Sequence, residues 1–173
     1  MPMAEEKPLE VAMRVVAGEG HLLDRRDWDG WLALYRDDAV FWVPAWRNES
    51  ETVEDPDTEV SLIYHDSRKA LEERVLRLRT GKSVTTMPLL RTAHLVSGFL
   101  VAGTAPAGGA PDRIEVHSSW QVVIYQPRTA MQYTLAGRYE HRLVKDGEGW
   151  KIARKKVVLI NDRIPTLVDF YCV

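Results

Sequence analysis

The sequence predicts an α+β fold in which amino-terminal helices pack on a curved, mainly antiparallel sheet. Three observations predict it. Helical periodicity is confined to the first half of the 173 residues, and from Leu89 onward only strand patterns remain. Residues 26–46 hold four of the six tryptophans, the mark of a helix laying its apolar face onto a strand. The segment after Asp112 alternates strictly, with Ile114, Val116, Ser118, Trp120, Val122 and Ile124 on one face and Arg113, Glu115, His117, Ser119 and Gln121 on the other.

In chain order, residues 1–8 read as a flexible terminus. A first helix follows over Leu9–Leu23, with Leu9, Ala12/Met13, Val16 and Leu23 as its stripe and Pro8 in the first turn. His21 falls at its end, where a partly exposed polar residue is expected. Trp28, Trp31, Leu32 and Tyr35 at i, i+3, i+4 and i+7 predict a second short helix. Asp37-Asp38 is the expected turn, and Ala39 to Val43 a strand that Pro44 ends. Residues 47–58 are acidic, aperiodic and contain Pro56, so an exposed loop is expected. Glu59 to Tyr64 reads as a strand. Asp66 or Ser67 then caps a third helix over Arg68–Arg79, with Leu71, Val75 and Leu78 buried and Glu73–Arg77 as an i,i+4 pair.

Four strands complete the single domain, 1–173. Leu90–Val101 is the first, and a Gly/Ala/Pro-rich exposed loop over 102–112 returns the chain to the alternating strand. A strand over Met131–Val144 places Tyr133, Leu135, Gly137, Tyr139 and Leu143 in one phase, and residues 145–149 turn it back. The last strand begins with Trp150 and Ile152 in one phase and continues with Val157 and Leu159 in the other. That switch predicts a β-bulge near Arg154–Lys156. Helices over such a sheet make a cone, either holding a ligand or filled by side chains.

Composition excludes several classes. Apolar content of 45 % and charged content of 28 % suit a soluble globular protein, and a net charge of -2 makes no case for nucleic acid or an anionic membrane as main partner. No apolar run reaches the roughly 20 residues of a membrane helix, and no basic-then-apolar leader is present, so a cytoplasmic protein is expected. One cysteine, Cys172, allows no internal disulfide and neither a Rieske cluster nor an all-cysteine zinc site within this chain. Of the five histidines none pair at i,i+4. His94 and His117 could meet across adjacent strands beside Tyr64 or Asp24, which would make an acid/base pocket; the competing reading puts His117 in solvent.

Several separated stretches carry a resemblance. Trp28 to Tyr35, Phe41 to Trp46, Asp55 to Tyr64, Leu71 to Val75, Arg77 to Ser83 and Arg91 to Leu95 together resemble the small (beta) subunit of aromatic-ring-hydroxylating dioxygenases, in the benzoate and anthranilate branch. The resemblance spans about Leu22 to Ile160. It implies a nuclear transport factor 2-like cone and a hexamer of three large and three small subunits, in which small subunits associate as a trimer. It also implies a Rieske [2Fe-2S] cluster and mononuclear Fe(II) in the large subunit, with NADH electrons delivered by a separate reductase, and cis-dihydroxylation of an aromatic acid. No catalytic, cofactor or metal residue is carried onto this chain. Phe41, Trp42, Trp46, Arg74, Arg77 and Arg79 are the candidate subunit-interface residues, a core role for Phe41 and Trp42 staying open. The alternative is a stand-alone cone-fold dehydratase or isomerase using a pocket of Tyr64, His94 and His117.

Overall fold

The computed structural model describes residues 6–81, 87–105 and 111–173. Three helices precede the main run of strands. Helix α1 spans Pro8–Asp24 with the proline in its first turn, where its missing N–H is no loss. It buries Val11, Ala12, Val15, Val16, Glu19, Gly20 and Leu23. Leu9 and Met13, expected in the stripe, face outward because Val11 and Val15 set the phase instead. His21 is exposed as expected. Asp27 caps α2 (Trp28–Ala33) by accepting from Gly30 N–H at 3.0 Å. Helix α3 spans Arg68–Arg79, with Ser67 Oγ accepting from Ala70 N–H and Leu71, Val75 and Leu78 buried, all as expected. Among the described residues the i,i+4 ion pair on α3 is Arg68–Glu72, and none joins Glu73 to Arg77.

The strands are β1 (Tyr35–Pro44), β2 (Ser61–His65), β3 (Arg91–Ala105), β4 (Arg113–Gln126), β5 (Met131–Asp146) and β6 (Gly149–Leu159). They form one sheet in the order β2-β1-β6-β5-β4-β3. The antiparallel run β3–β6 is the expected meander, but the sheet is larger: β1 lies parallel to β6, and β2 pairs antiparallel to β1. Several boundaries differ from expectation: Tyr35, expected on the second helix, opens β1, and β2 runs Ser61–His65 rather than from Glu59 to Tyr64. Asp37-Asp38 is not a turn; it lies in an irregular stretch of β1 where Tyr35 pairs with Ile152 and the next pair is Val40 with Arg154. Residues 102–105 belong to β3 rather than to a 102–112 loop; residues 106–110 of that loop and 1–5 of the expected terminus lie outside the described residues.

Bulges shape the sheet. Arg142 pairs with Arg154 and Leu143 with Ile152, so Ala153 is unpaired, one residue before the expected site. Strand β3 has two irregularities, the first centred on Gly98 at φ 62°, a backbone conformation glycine adopts without strain. Loop 47–58 is exposed as expected apart from Val53, and Glu59 organises it by pairing with Arg47 and accepting from the N–H groups of Glu54 and Asp55.

Aromatic rings fill the cone between helices and sheet. Trp31, Tyr35, Phe41, Tyr139 and Phe170 are fully or almost fully buried, and Phe170 stacks on Trp31 at 4.5 Å. The backbone packs tightly at Gly137, where a β-carbon would sit 1.8 Å from the Val158 carbonyl oxygen. Gly137→Ala is therefore expected to destabilise by about 1–3 kcal/mol through overpacking, measured as a lower urea midpoint with an unchanged slope.

Candidate functional site

At the centre of the cone lies a charged cluster. Glu19 on α1 is 1 % exposed. One of its oxygens accepts from Lys155 Nζ at 3.1 Å, from Trp31 Nε1 at 3.2 Å and from the Tyr35 hydroxyl. The other faces His141 Nε2 at 3.3 Å. Lys155 also donates to the main-chain oxygen of Val173 at 3.2 Å, and its ammonium lies 4.4 Å from the Tyr139 ring centroid. Burial raises the Glu19 pKa, but the Lys155 charge and the His141 and Tyr35 hydrogen bonds overcome it and hold the carboxyl well below the usual range. Burial lowers His141 and Lys155, with Glu19 opposing in both cases, and burial reinforced by Glu19 pushes Tyr35 well above an ordinary phenol. The cluster is an ion pair with hydrogen-bonded supports, built to hold charge rather than to transfer it.

None of Glu19, His141 or Lys155 was singled out from the sequence, although the signal is present in it. Glu19 sits at i+4 from Val15 and i+3 from Val16; His141 shares its phase with Tyr139 and Leu143; Lys155 shares its phase with Val157 and Leu159. Each is a charged or titratable residue at a core position. The expected pocket residues do not come together. His94 faces inward from β3, its side chain 2 % exposed, with Nδ1 2.6 Å from Asp24 Oδ1. Burial raises the Asp24 pKa, yet hydrogen bonds from the His94 ring, the His94 N–H and the Thr92 hydroxyl bring it below the ordinary value. His117 is exposed on the opposite face of the sheet, and Tyr64 lies on the edge strand β2. The Asp24 contact was anticipated, and the His94–His117 meeting is not found: their side chains leave opposite faces of paired strands.

The candidate interface residues divide likewise. Phe41 is fully buried in the core, whereas Trp42 leaves the opposite face of β1, where it is 2 % exposed beneath Arg154 and Lys156 at 5.7 and 5.2 Å and donates from Nε1 to Ser61 Oγ at 2.8 Å. Trp46, half-buried, donates from Nε1 to the Leu159 carbonyl at 2.7 Å. Arg79 pairs with Asp29 at the surface. Arg74 forms a two-point pair with Asp169 at 3.1 and 2.8 Å, Asp169 being 5 % exposed. This pair ties residues 169–173 to α3. Beyond it Phe170 and Tyr171 set their edges against Trp28, and burial pushes the Cys172 thiol up to about 12. Arg77 lines a groove of about 380 Å³ between β2 and α3, beside Leu62, Tyr64 and Glu73, and among the described residues no ion pair involves it.

Comparison with known proteins adds a family. The family model described as "Ring hydroxylating beta subunit" matches residues 18–166. The chain is similar to the benzoate 1,2-dioxygenase subunit beta of Acinetobacter baylyi, 36 % identical over 94 % of this chain and 92 % of that one. It is also similar to the anthranilate 1,2-dioxygenase small subunit of the same organism, 35 % identical over 88 % and 90 %. Among solved structures, the beta subunit of benzoate 1,2-dioxygenase from Burkholderia mallei matches with a TM-score of 0.73 and 33 % identity, covering 94 % of this chain and 95 % of that one. A ketosteroid isomerase-like protein from Erwinia carotovora atroseptica shares the cone alone, at a TM-score of 0.58 and 17 % identity, with 90 % and 98 % covered. The fold is the nuclear transport factor 2-like cone.

Two outcomes are expected. Glu19→Ala leaves Lys155 buried without its counter-charge and costs about 3–5 kcal/mol, whereas Glu19→Leu combined with Lys155→Met costs far less, as urea titration of both variants measures. The wild-type protein loses stability on acidification in two steps. His141 titrates below its ordinary 6.5 when folded, so the unfolded chain takes a proton first and stability falls as pH drops through 6.5. Glu19 titrates below its ordinary 4.5, so its stabilisation is complete above 4.5 and is lost progressively beneath it. His141→Gln shrinks the first step, which it shares with His65, lowered by burial and the Arg74 charge, and narrows the second by removing one of the Glu19 supports. Separately, Arg74→Ala leaves the buried Asp169 without its counter-charge and loosens residues 169–173, so it lowers the urea midpoint and speeds reaction of Cys172, the single thiol, with a disulfide reagent at least tenfold.

Proposed function

The chain belongs to the ring-hydroxylating beta subunit family, the small subunits of aromatic-ring-hydroxylating dioxygenases, and on that premise we propose that it completes a dioxygenase acting on a benzoate-class aromatic acid. One observation carries the substrate class: the benzoate and anthranilate dioxygenase small subunits align with nearly the whole chain at 36 % and 35 % identity. In this reading three small and three large subunits form a hexamer, with the small subunits self-associating as a trimer.

The donor set supports leaving the redox groups to the partner. A Rieske centre needs two cysteines and two histidines. This chain offers one thiol, which is buried, and its two histidines with fully buried rings, His94 and His141, each face a carboxylate. The residues present do not fit such a cluster. The large subunit accordingly holds the Rieske [2Fe-2S] cluster and mononuclear Fe(II), a reductase supplies electrons from NADH, and both atoms of O2 enter the ring as a cis-diol. What this chain contributes is a rigid body, with Arg77, Leu62 and Tyr64 at the β2–α3 groove as its contact with a neighbouring subunit. Arg is enriched at such contacts, and an exposed apolar pair beside an unpaired guanidinium suits one. The dehydratase or isomerase alternative is not favoured, since His94 and His117 lie on opposite faces and side chains fill the cone.

Affinity purification of this chain from its native cells is expected to recover a larger partner in equal amount with brown iron–sulfur absorption, and the complex to consume O2 with benzoate or anthranilate. Arg77→Glu is expected to reduce recovery of the partner severalfold without changing the thermal midpoint of the isolated chain. A colourless chain alone from cells grown on aromatic acids would sink the reading.

A further inference from the structure

The helices pack on the inner face of the sheet, and the outer face over β4–β6 concentrates positive charge. Register places the side chains there: Glu115 lies opposite Arg142, Arg142 opposite Arg154, Glu140 opposite Lys156, and Arg113 and Arg138 share the same phase. Five cations thus stand among two carboxylates, in a chain whose net charge is -2. Glu115 takes Arg142 at 2.6 Å and Arg113 at 4.0 Å, and Glu140 takes Lys156 at 3.8 Å. Among the described residues no carboxylate pairs with Arg138, which is exposed, or with Arg154. Arg154 and Lys156 stand over the Trp42 ring, which holds their charged ends at the sheet surface. Unbalanced like charge on one face repels itself, and an opposite surface relieves that repulsion.

The loop between β1 and β2 carries the complementary charge. Glu49, Glu51, Glu54, Asp55 and Asp57 are exposed, and the loop's one cation, Arg47, is taken up by Glu59 at 2.6 Å. Backbone contacts fix its shape: Asn48 Oδ1 accepts from the N–H groups of Ser50 and Glu51, and Glu59 from those of Glu54 and Asp55. The carboxylates are therefore presented on an ordered turn, at little further entropic cost on docking. Within one chain the two surfaces do not meet. The ion pairs of Arg47 close inside the loop, which hangs from the β2–β1 side of the sheet, while the cations lie on β6, β5 and β4. Each surface also has an apolar neighbour. Val60, 73 % exposed, follows the loop, and Leu100, 62 % exposed, pairs with His117 on the outer face.

We propose that the outer face of β4–β6 is the docking surface for the acidic β1–β2 loop of a second copy of this chain, the loop carboxylates of one copy meeting Arg113, Arg138 and Arg142 of the next. The contact rests on the small-subunit trimer proposed above and names the surfaces that build it. Repeated around a three-fold axis, it closes a ring in which each copy gives its loop to one neighbour and its basic face to the other. Complementary charge of this kind selects the partner and the register, and it weakens as salt rises.

Sedimentation equilibrium of the isolated wild-type chain at low salt is expected to give the mass of three chains, shifting toward one as sodium chloride is raised. Arg113→Glu with Arg138→Glu, and separately Glu54→Lys with Asp57→Lys, are each expected to weaken association roughly tenfold or more with the circular dichroism spectrum unchanged. All four substitutions in one chain restore opposite charge across the contact and are expected to recover roughly tenfold over either pair. A wild-type chain that sediments singly or in pairs, or a combined variant no tighter than its parents, would overturn the proposal. Trimer mass retained by both pairs, with the large partner lost, would overturn it as well by giving these surfaces to that partner. The dioxygenase reading is judged separately, by recovery of the large partner and its iron–sulfur absorption with the wild-type chain.

Discussion

Glu19 and Lys155 face each other in an interior walled by aromatic rings, and the rest of the architecture follows from keeping them paired. A carboxylate on α1 and an ammonium on β6 each carry a desolvation cost that only the other, with its hydrogen-bonded supports, offsets. Their contact therefore fixes how the first helix sits over the sheet. It requires Tyr35, Trp31 and His141 to turn inward, because each covers a face of the carboxylate that would otherwise be unsatisfied. It also depends on the bulge at Ala153, which shifts the later half of β6 by one residue and turns Lys155 to the core. Without that extra residue Arg154 and Lys156 would point in, and the ion pair could not form.

Residues 169–173 extend the same logic. The main-chain oxygen of Val173 reaches Lys155, Phe170 stacks on Trp31, and Arg74 clamps Asp169 from α3. In a cone whose shape alone is compatible with a ligand cavity, the chain's own segment takes up the space. Fold does not determine function here: a ketosteroid isomerase-like protein shares the cone with this dioxygenase subunit, and the difference lies in which side chains meet inside it.

The surface divides charged side chains between internal and external use. Arg74 is committed to holding the chain to itself, Arg79 to an exposed pair with Asp29, and Arg47 to organising its loop around Glu59. Arg77, four residues from neither anchor but on the same helix, is left at the groove beside Leu62 and Tyr64. Equal formal charge on one helix thus conceals unequal roles, since a guanidinium within reach of a buried carboxylate is held there by a two-point hydrogen bond.

Local pattern determined much of this protein. Local pattern located α3 to the residue with its cap at Asp66 or Ser67, the alternating face of β4 from Ile114 to Ile124, and the phase switch that placed a bulge in β6. The separated aromatic and charged motifs determined the family. These are readings over a few residues, or over whole motifs, and need no knowledge of what lies across the fold. Tertiary structure alone decided the rest. The parallel pairing of β1 with β6 joins residues more than a hundred positions apart, and no local signal encodes it. Glu19, His141 and Lys155 each stand at a core position in the sequence, but a charged residue there looks like an irregularity until its partners are known. Whether Arg74 faced a neighbour or Asp169, and whether His94 met His117 or Asp24, depended on which face of which element each side chain left. Burial of charge is a pairwise property, and the pairs exist only once the chain has folded.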